Sequence, residues 1–258
     1  MNYSEADKAV LPVVFLAMVA VVAILALILW RRSERIRAIP TAIVAIALIF
    51  IEIVKQRWNI LGDFDLYFLP FHYCSLFFIV IPLAELCGPR MSRIFRPIAT
   101  CMAFMVSAAM YVYPQGIMGT ASENFGVNFK QTHGFIFHHL VVLYLLLVIG
   151  MRLGRPRWRD ALRVGLVGAV YCALAIPLAH NFQSNYCNFL DSVIPAVENM
   201  RLEYGQLKYT LFIAAALTLG AIFSAFICIG LYALVGGFFK LLSRIKPKNN
   251  SLEQKNGR

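Results

Sequence analysis

Residues 9–37 read AVLPVVFLAMVAVVAILALILWRRSERIR. Ala9–Trp30 carries no ionisable side chain, and Arg31, Arg32, Arg35 and Arg37 follow at once. About 20 mostly apolar residues, rising about 1.5 Å each in a helix, cross the hydrocarbon of a bilayer. The run is too long for the core of a signal peptide and lacks a basic n-region, so it reads as a retained membrane span.

The same alternation continues along the chain. Further apolar runs fall at Ala38–Gln56, Leu66–Cys87, Ile94–Tyr113, Thr132–Met151, Leu162–Asn181 and Lys208–Phe238. The last is longer than one crossing needs and is expected to tilt or to continue beyond the bilayer. Eighteen of the 24 Lys and Arg lie in alternate connections: the Arg31–Arg37 loop, Arg90, Arg93 and Arg96, the Arg152–Arg163 loop, and the end of the chain from Lys240. Cytoplasmic loops carry this excess, which puts the N-terminus outside and the C-terminus inside. The expected fold class is all-α: a polytopic protein of the cell membrane with seven transmembrane helices. It has one membrane domain, residues 1–239, and a basic cytoplasmic tail, residues 240–258.

Composition agrees. Hydrophobic residues make up 60% and charged residues 14%, against about 45–50% and about 25% in soluble domains. A net charge of +11 is the mark of many nucleic-acid binders. Here the arginines sit in short clusters between apolar runs, so they are topology signals. Nucleic acid is excluded as a partner on that ground, and membrane lipids are the expected partners. The six cysteines are scattered and do not form a disulfide framework. A Cys74–Cys187 bridge is nonetheless open, because both are expected on the outer side.

The polar residues within this apolar chain gather at the outer ends of the runs. Glu52, Lys55 and Gln56 close the second, His72 and Cys74 open the third, His133 stands at the mouth of the fifth, and His180 ends the sixth. Counted from Leu66 along a regular helix, His72 and Cys74 lie roughly 9–12 Å in. His138 and His139 lie deeper in the fifth and read as structural hydrogen-bonders. The inner ends show no comparable set of acids, histidines and thiols. Ionisable groups in hydrocarbon are costly and mark functional sites.

Helical spacing limits which of these cooperate. Glu52 and Lys55 are i,i+3 and can pair. His72 and Cys74 are i,i+2 and point apart in a regular helix, so a base for Cys74 must come from another span, with His133 and His180 as candidates, unless Pro70 makes the first turn irregular. Three chemistries stay open. A thiol at the start of a helix, beside a histidine, suits nucleophilic acyl transfer. A His/Cys metal site rests on composition only, since no HExxH or CxxC spacing occurs, and neither a metal nor a cofactor is expected. Intramembrane His, Glu and Lys also suit a permease or channel-like pathway, and a non-catalytic accessory subunit is the remaining alternative.

Three short blocks carry a resemblance: Leu69-Pro70-Phe71-His72-Tyr73-Cys74-Ser75, Thr132-His133-Gly134, and Ser184-Asn185-Tyr186 with the stretch to Phe189. Their order and placement resemble the bacterial YwaF-like integral membrane proteins. Those in turn look distantly related to the animal transmembrane acyltransferase that installs acyl chains on ether phospholipids. The resemblance implies a nucleophile at Cys74 with His133 as its partner, and His72 and Asn185 orienting groups or lining the site. Ser75 stands where these relatives usually carry an aspartate, and Asn188 where an aromatic residue is usual. The expectation is therefore a lipid acyltransferase or acyl-ester hydrolase. Cys74 and His133 would be catalytic. His72, His180, Asn185, Tyr186, Glu52 and Lys55 would bind or orient substrate, with Asn185, Tyr186 or His180 facing the oxyanion.

Overall fold

The computed structural model describes residues 3–62 and 64–245. Helices α1 (Glu5–Leu29) and α2 (Ile39–Leu61) are joined by the short turn Glu34–Arg37. The chain then unwinds through two 3-10 turns, Leu66–Phe68 and Tyr73–Leu76, before α3 (Phe77–Glu85). Next come α4 (Gly88–Val112), α5 (Phe129–Gly150), α6 (Trp158–Phe182), the short α7 (Pro195–Tyr204) and α8 (Gln206–Ile245). The described residues form no strand. Six helices are long and apolar enough to cross a membrane, and Tyr73–Glu85 is a shorter apolar one. α8 continues into the residues expected to begin the tail, whose remainder, 246–258, lies outside the described residues.

Each long helix begins where the sequence supplies a start. Ser4 caps α1 by accepting from the Asp7 amide while Asp7 accepts from the Ser4 amide, and Pro40 occupies the first turn of α2. The centre is held by α4 and α5, whose apolar windows are 61% and 56% buried, against 17% for α1. Outward faces remain apolar: Leu162, Leu166, Val170 and Leu174, four residues apart on α6, are each more than half exposed. A stripe of that kind suits lipid rather than water. α6 and α8 approach closely because Gly165 and Gly168 present no side chain. A Cβ at Gly165 would stand 2.8 Å from Ile222, and one at Gly168 would stand 3.4 Å from the Thr218 backbone.

The segment expected as one regular helix, Leu66–Cys87, is broken. Its upper half is held to α2 by side chains instead of by its own helical bonds. Asn59 donates to the Asp65 carbonyl and accepts from the Asp65 amide, and Gln56 donates to the Phe68 carbonyl at 2.9 Å. At its other end Glu85 meets Thr41 at the start of α2. The segment therefore runs antiparallel to α2 over most of the length of α2, although only its second half is helical. His72 is in extended backbone (φ −73°, ψ 148°) and Cys74 lies in the 3-10 turn that follows. The depth and the facing counted along a regular helix do not apply to either.

The arginine-rich end contains a buried polar set of a different kind, built on one carboxylate without histidine or thiol. The Glu85 carboxylate has no exposed surface. It accepts Arg96 Nε and Nη2, both at 2.8 Å, Thr41 Oγ1 at 2.6 Å and Tyr144 Oη at 3.0 Å. Arg96 also donates to Glu34 at 3.1 Å. One carboxylate thus ties α2, α3, α4 and α5 together. Arg96 counts as a loop charge in the sequence, yet it is 5% exposed.

Candidate functional site

At the opposite end, α2 supplies an ion pair inside the bundle. Lys55 Nζ lies 2.7 Å from Glu52 Oε1, and the two side chains are 10% and 4% exposed. Gln56 Nε2 donates to the same Glu52 oxygen at 2.8 Å. The helix continues to Leu61, so the pair sits well inside α2 and does not close its end. From α5, His133 brings Nε2 to 3.9 Å from Glu52 Oε2. That is too long for a hydrogen bond, and both atoms are buried with no hydrogen-bond partner.

The unwound segment faces this pair from the other side. Lys55 acts electrostatically on Cys74, His72, His133 and His138, and Glu52 also acts on Cys74. The Ser75 N–H donates to the His72 carbonyl at 2.9 Å and closes the turn that bears Cys74. No hydrogen bond joins Cys74 to His133 among the described residues. The ion pair is the group that the two share.

The remaining histidines have separate places. His72 Nε2 bonds the Tyr67 carbonyl at 3.0 Å, and its ring is wedged edge-on between Tyr67 and Tyr186. A carbonyl can only accept, so Nε2 carries the proton and Nδ1 is bare. His138 and His139 bond the carbonyls of Gly134 and Phe135 through Nδ1, each at 2.7 Å, which leaves both Nε2 atoms as unpartnered acceptors. These are helix-satisfied histidines, as expected, although His138 still points a bare nitrogen inward. His180 ends α6, and among the described residues no hydrogen bond or ring contact links its imidazole to the cluster.

Asn185 and Tyr186 are committed elsewhere. The Asn185 amide donates to Asp191 and its oxygen accepts from the Leu190 amide, which knots the loop. Tyr186 Oη donates to the Leu66 carbonyl at 2.6 Å. They shape the wall behind His72 and aim no free donor at Cys74.

Cys187, expected only as a possible disulfide partner of Cys74, has a different place. Its sulfur accepts from the Tyr73 amide and contacts Tyr171 Oη, both at 2.9 Å, and Tyr171 in turn donates to the Phe71 carbonyl. Cys74 and Cys187 are both free thiols, so the possible bridge is not formed. Burial, and then the neighbouring Cys74, push the Cys187 thiol up to about 12. Only the thiolate is nucleophilic, so Cys187 stays protonated and inert at neutral pH and pins the loop to the unwound segment. In the folded protein iodoacetamide should modify exposed Cys87 readily and leave Cys187 untouched until the chain is denatured. Peptide mass spectrometry reads this, and rapid native labelling of Cys187 contradicts it.

Two openings lie near the cluster. A groove of about 680 Å³ runs along α2, lined by Ile49, Ile53, Ile60 and Phe78 together with Glu52 and Gln56. A second, more polar opening of about 500 Å³ lies between Asp65, Tyr67, Lys130 and Asn185. Tyr67 separates it from His72. No group of three or more metal-type ligands occurs among the described residues.

The family model described as the TMEM164 family matches residues 3–236. No curated protein and no solved structure matches the chain. The match covers nearly the whole sequence, so the chain belongs to the TMEM164 family and is a multi-pass integral membrane protein.

Proposed function

We propose, from membership of the TMEM164 family and the site at the unwound segment, that this protein is a membrane-bound acyl-transfer enzyme of the YwaF-like bacterial kind. Its substrates are membrane lipids, and its site opens to the outer leaflet of the cell membrane. The observation that carries the reading is the break ahead of α3. It puts Cys74 in a 3-10 turn within electrostatic reach of a buried ion pair that His133 also approaches, and an apolar groove reaches Glu52 of that pair from the lipid side.

Cys74 attacks the carbonyl of an acyl ester. The S–C bond forms, the ester C–O bond breaks, and the leaving alkoxide takes the proton that His133 removed from the thiol. A lipid hydroxyl, or water in the hydrolytic variant, then gives its proton to His133 and attacks the thioester, releasing Cys74. The groove holds the acyl chain, and the positive end of the helix that follows Cys74 favours both thiolate and oxyanion. Such chemistry needs no metal or cofactor.

A Cys74→Ala strain with normal protein level should show an altered distribution of acyl chains among its membrane lipids. An unchanged lipid profile counts against the enzyme. A permease using the same charges gives the opposite pattern, with Cys74→Ala neutral and Glu52→Gln inactive in transport.

A further inference from the structure

Catalysis by a thiol inside an apolar bundle faces a specific obstacle. Moving the proton from Cys74 to His133 creates a thiolate and an imidazolium where water cannot solvate them, and such separated charges are strongly disfavoured at low dielectric. The bundle contains one resource that answers this. Glu52 and Lys55 are already charged, already buried and fixed on one helix face at 2.7 Å. The remaining capacity of Glu52 points at His133, and Lys55 lies within electrostatic reach of Cys74. Glu52 Oε2 has no hydrogen-bond partner and faces His133 Nε2, which has none either, across 3.9 Å. Lys55 acts on Cys74.

We infer that the Glu52–Lys55 pair is a preorganised dipole that holds the thiolate–imidazolium form of the site, with Lys55 beside the Cys74 thiolate and Glu52 as the acid partner of the His133 imidazolium. Proton transfer then completes an alternating set of four charges, with each new charge next to an opposite one already in place. The 3.9 Å gap fits the resting state. A neutral imidazole is weakly drawn to the carboxylate, and an imidazolium closes the gap to a charge-assisted bond. Hydrogen bonds of catalytic groups are commonly long before the reactive form is present. Glu52 and Lys55 are positioning residues in this account, since neither touches the acyl group. The inference rests on the acyl-transfer reading for its purpose, but its electrostatics concern the thiol alone.

The test reads the thiol without any lipid substrate. The full chain, purified in detergent micelles, is treated with iodoacetamide across a range of pH, and modification of Cys74 is followed by peptide mass spectrometry with exposed Cys87 as internal control. Charged or titratable groups that face Cys74 are Lys55 and Glu52 from α2, Tyr67 from the preceding turn, Cys187 from the loop and Tyr171 from α6. The double variant Glu52→Gln with Lys55→Met removes both charges without leaving one unpaired. It should slow Cys74 alkylation at neutral pH by about tenfold or more, because an opposite charge nearby is worth one to three pKa units, and the deficit should vanish at high pH. Lys55→Arg should restore the wild-type profile. Should the double variant not fold, Lys55→Gln keeps a donor for Glu52 and should shift the profile in the same direction. A folded neutral variant with the wild-type rate and pH profile overturns the inference, and so does a Lys55→Arg protein that behaves like the neutral one. A shifted profile together with an unchanged lipid profile in the Cys74→Ala strain would remove the acyl-transfer reading and leave this inference standing.

Discussion

Arg96→Ala should destabilise the bundle by about 3–5 kcal/mol, the usual cost of stranding one member of a buried ion pair. Glu85 is fully buried, and Arg96 supplies two of the four hydrogen bonds to its carboxylate. Without the guanidinium, Thr41 and Tyr144 alone must stabilise the charge. The loss also loosens four helices at once, since α2, α3, α4 and α5 meet at this carboxylate. Arg96→Lys should fall between, because an ammonium keeps the charge and loses the two-pronged geometry. The double variant Glu85→Gln with Arg96→Met should recover much of the loss, because no buried charge remains. The midpoint of unfolding in mixed detergent micelles measures each variant. Equal midpoints for wild type and Arg96→Ala would show that the carboxylate is not the structural tie described.

His133→Ala should reduce acyl turnover by about 10²–10⁴-fold, the range set by loss of a general acid–base group. The variant is expected to fold, because the His133 Nε2 has no hydrogen-bond partner to lose and the ring packs on Phe129 and Phe137. Cys74→Ala should abolish turnover altogether, since it removes the atom that carries the acyl group. Cys187→Ala should retain activity within severalfold, its role being to hold the loop. Release of labelled acyl product from vesicle-embedded enzyme separates the three. A His133→Ala rate equal to wild type removes His133 from the chemistry and leaves the base to be sought among its neighbours.

Much of the helical scaffold is legible in the sequence because its signal is local. The run Ala9–Trp30 becomes α1, Thr132–Met151 becomes α5 and Leu162–Asn181 becomes α6, each displaced by a few residues at its ends. The unwinding before α3 is not legible in hydropathy. Leu66, Phe68, Leu69 and Phe71 are as apolar as any helical run, and what unwinds them is tertiary: the carbonyl of Phe68 is taken by Gln56 and that of Phe71 by Tyr171. Pro70 is the one local hint. The Glu85 tie is hidden for a different reason. Arg96 has the same letter and neighbourhood as the loop arginines that signal topology, and only the fold distinguishes a buried guanidinium from a solvated one.

The site divides in the same way. Glu52 with Lys55 follows from i,i+3 spacing, and the structure adds His133 across the helix boundary. Asn185 and Tyr186 are drawn to attention by the third motif block, yet their polar atoms are used up in loop and backbone bonds. The contacts of Cys187 are not legible in the sequence, because its partners, Tyr73 and Tyr171, come from distant parts of the chain.

The most direct test of the account is to look for the acyl-enzyme. Purified protein is incubated with vesicles of the host's own lipids, quenched in acid, and measured by intact mass and by peptide mapping. The account predicts a fatty-acyl mass increment on Cys74 that hydroxylamine removes, that is absent from Cys74→Ala, and that forms slowly in His133→Ala. A protein that turns over acyl lipids with no adduct on Cys74, or that carries its adduct on another residue, would contradict it.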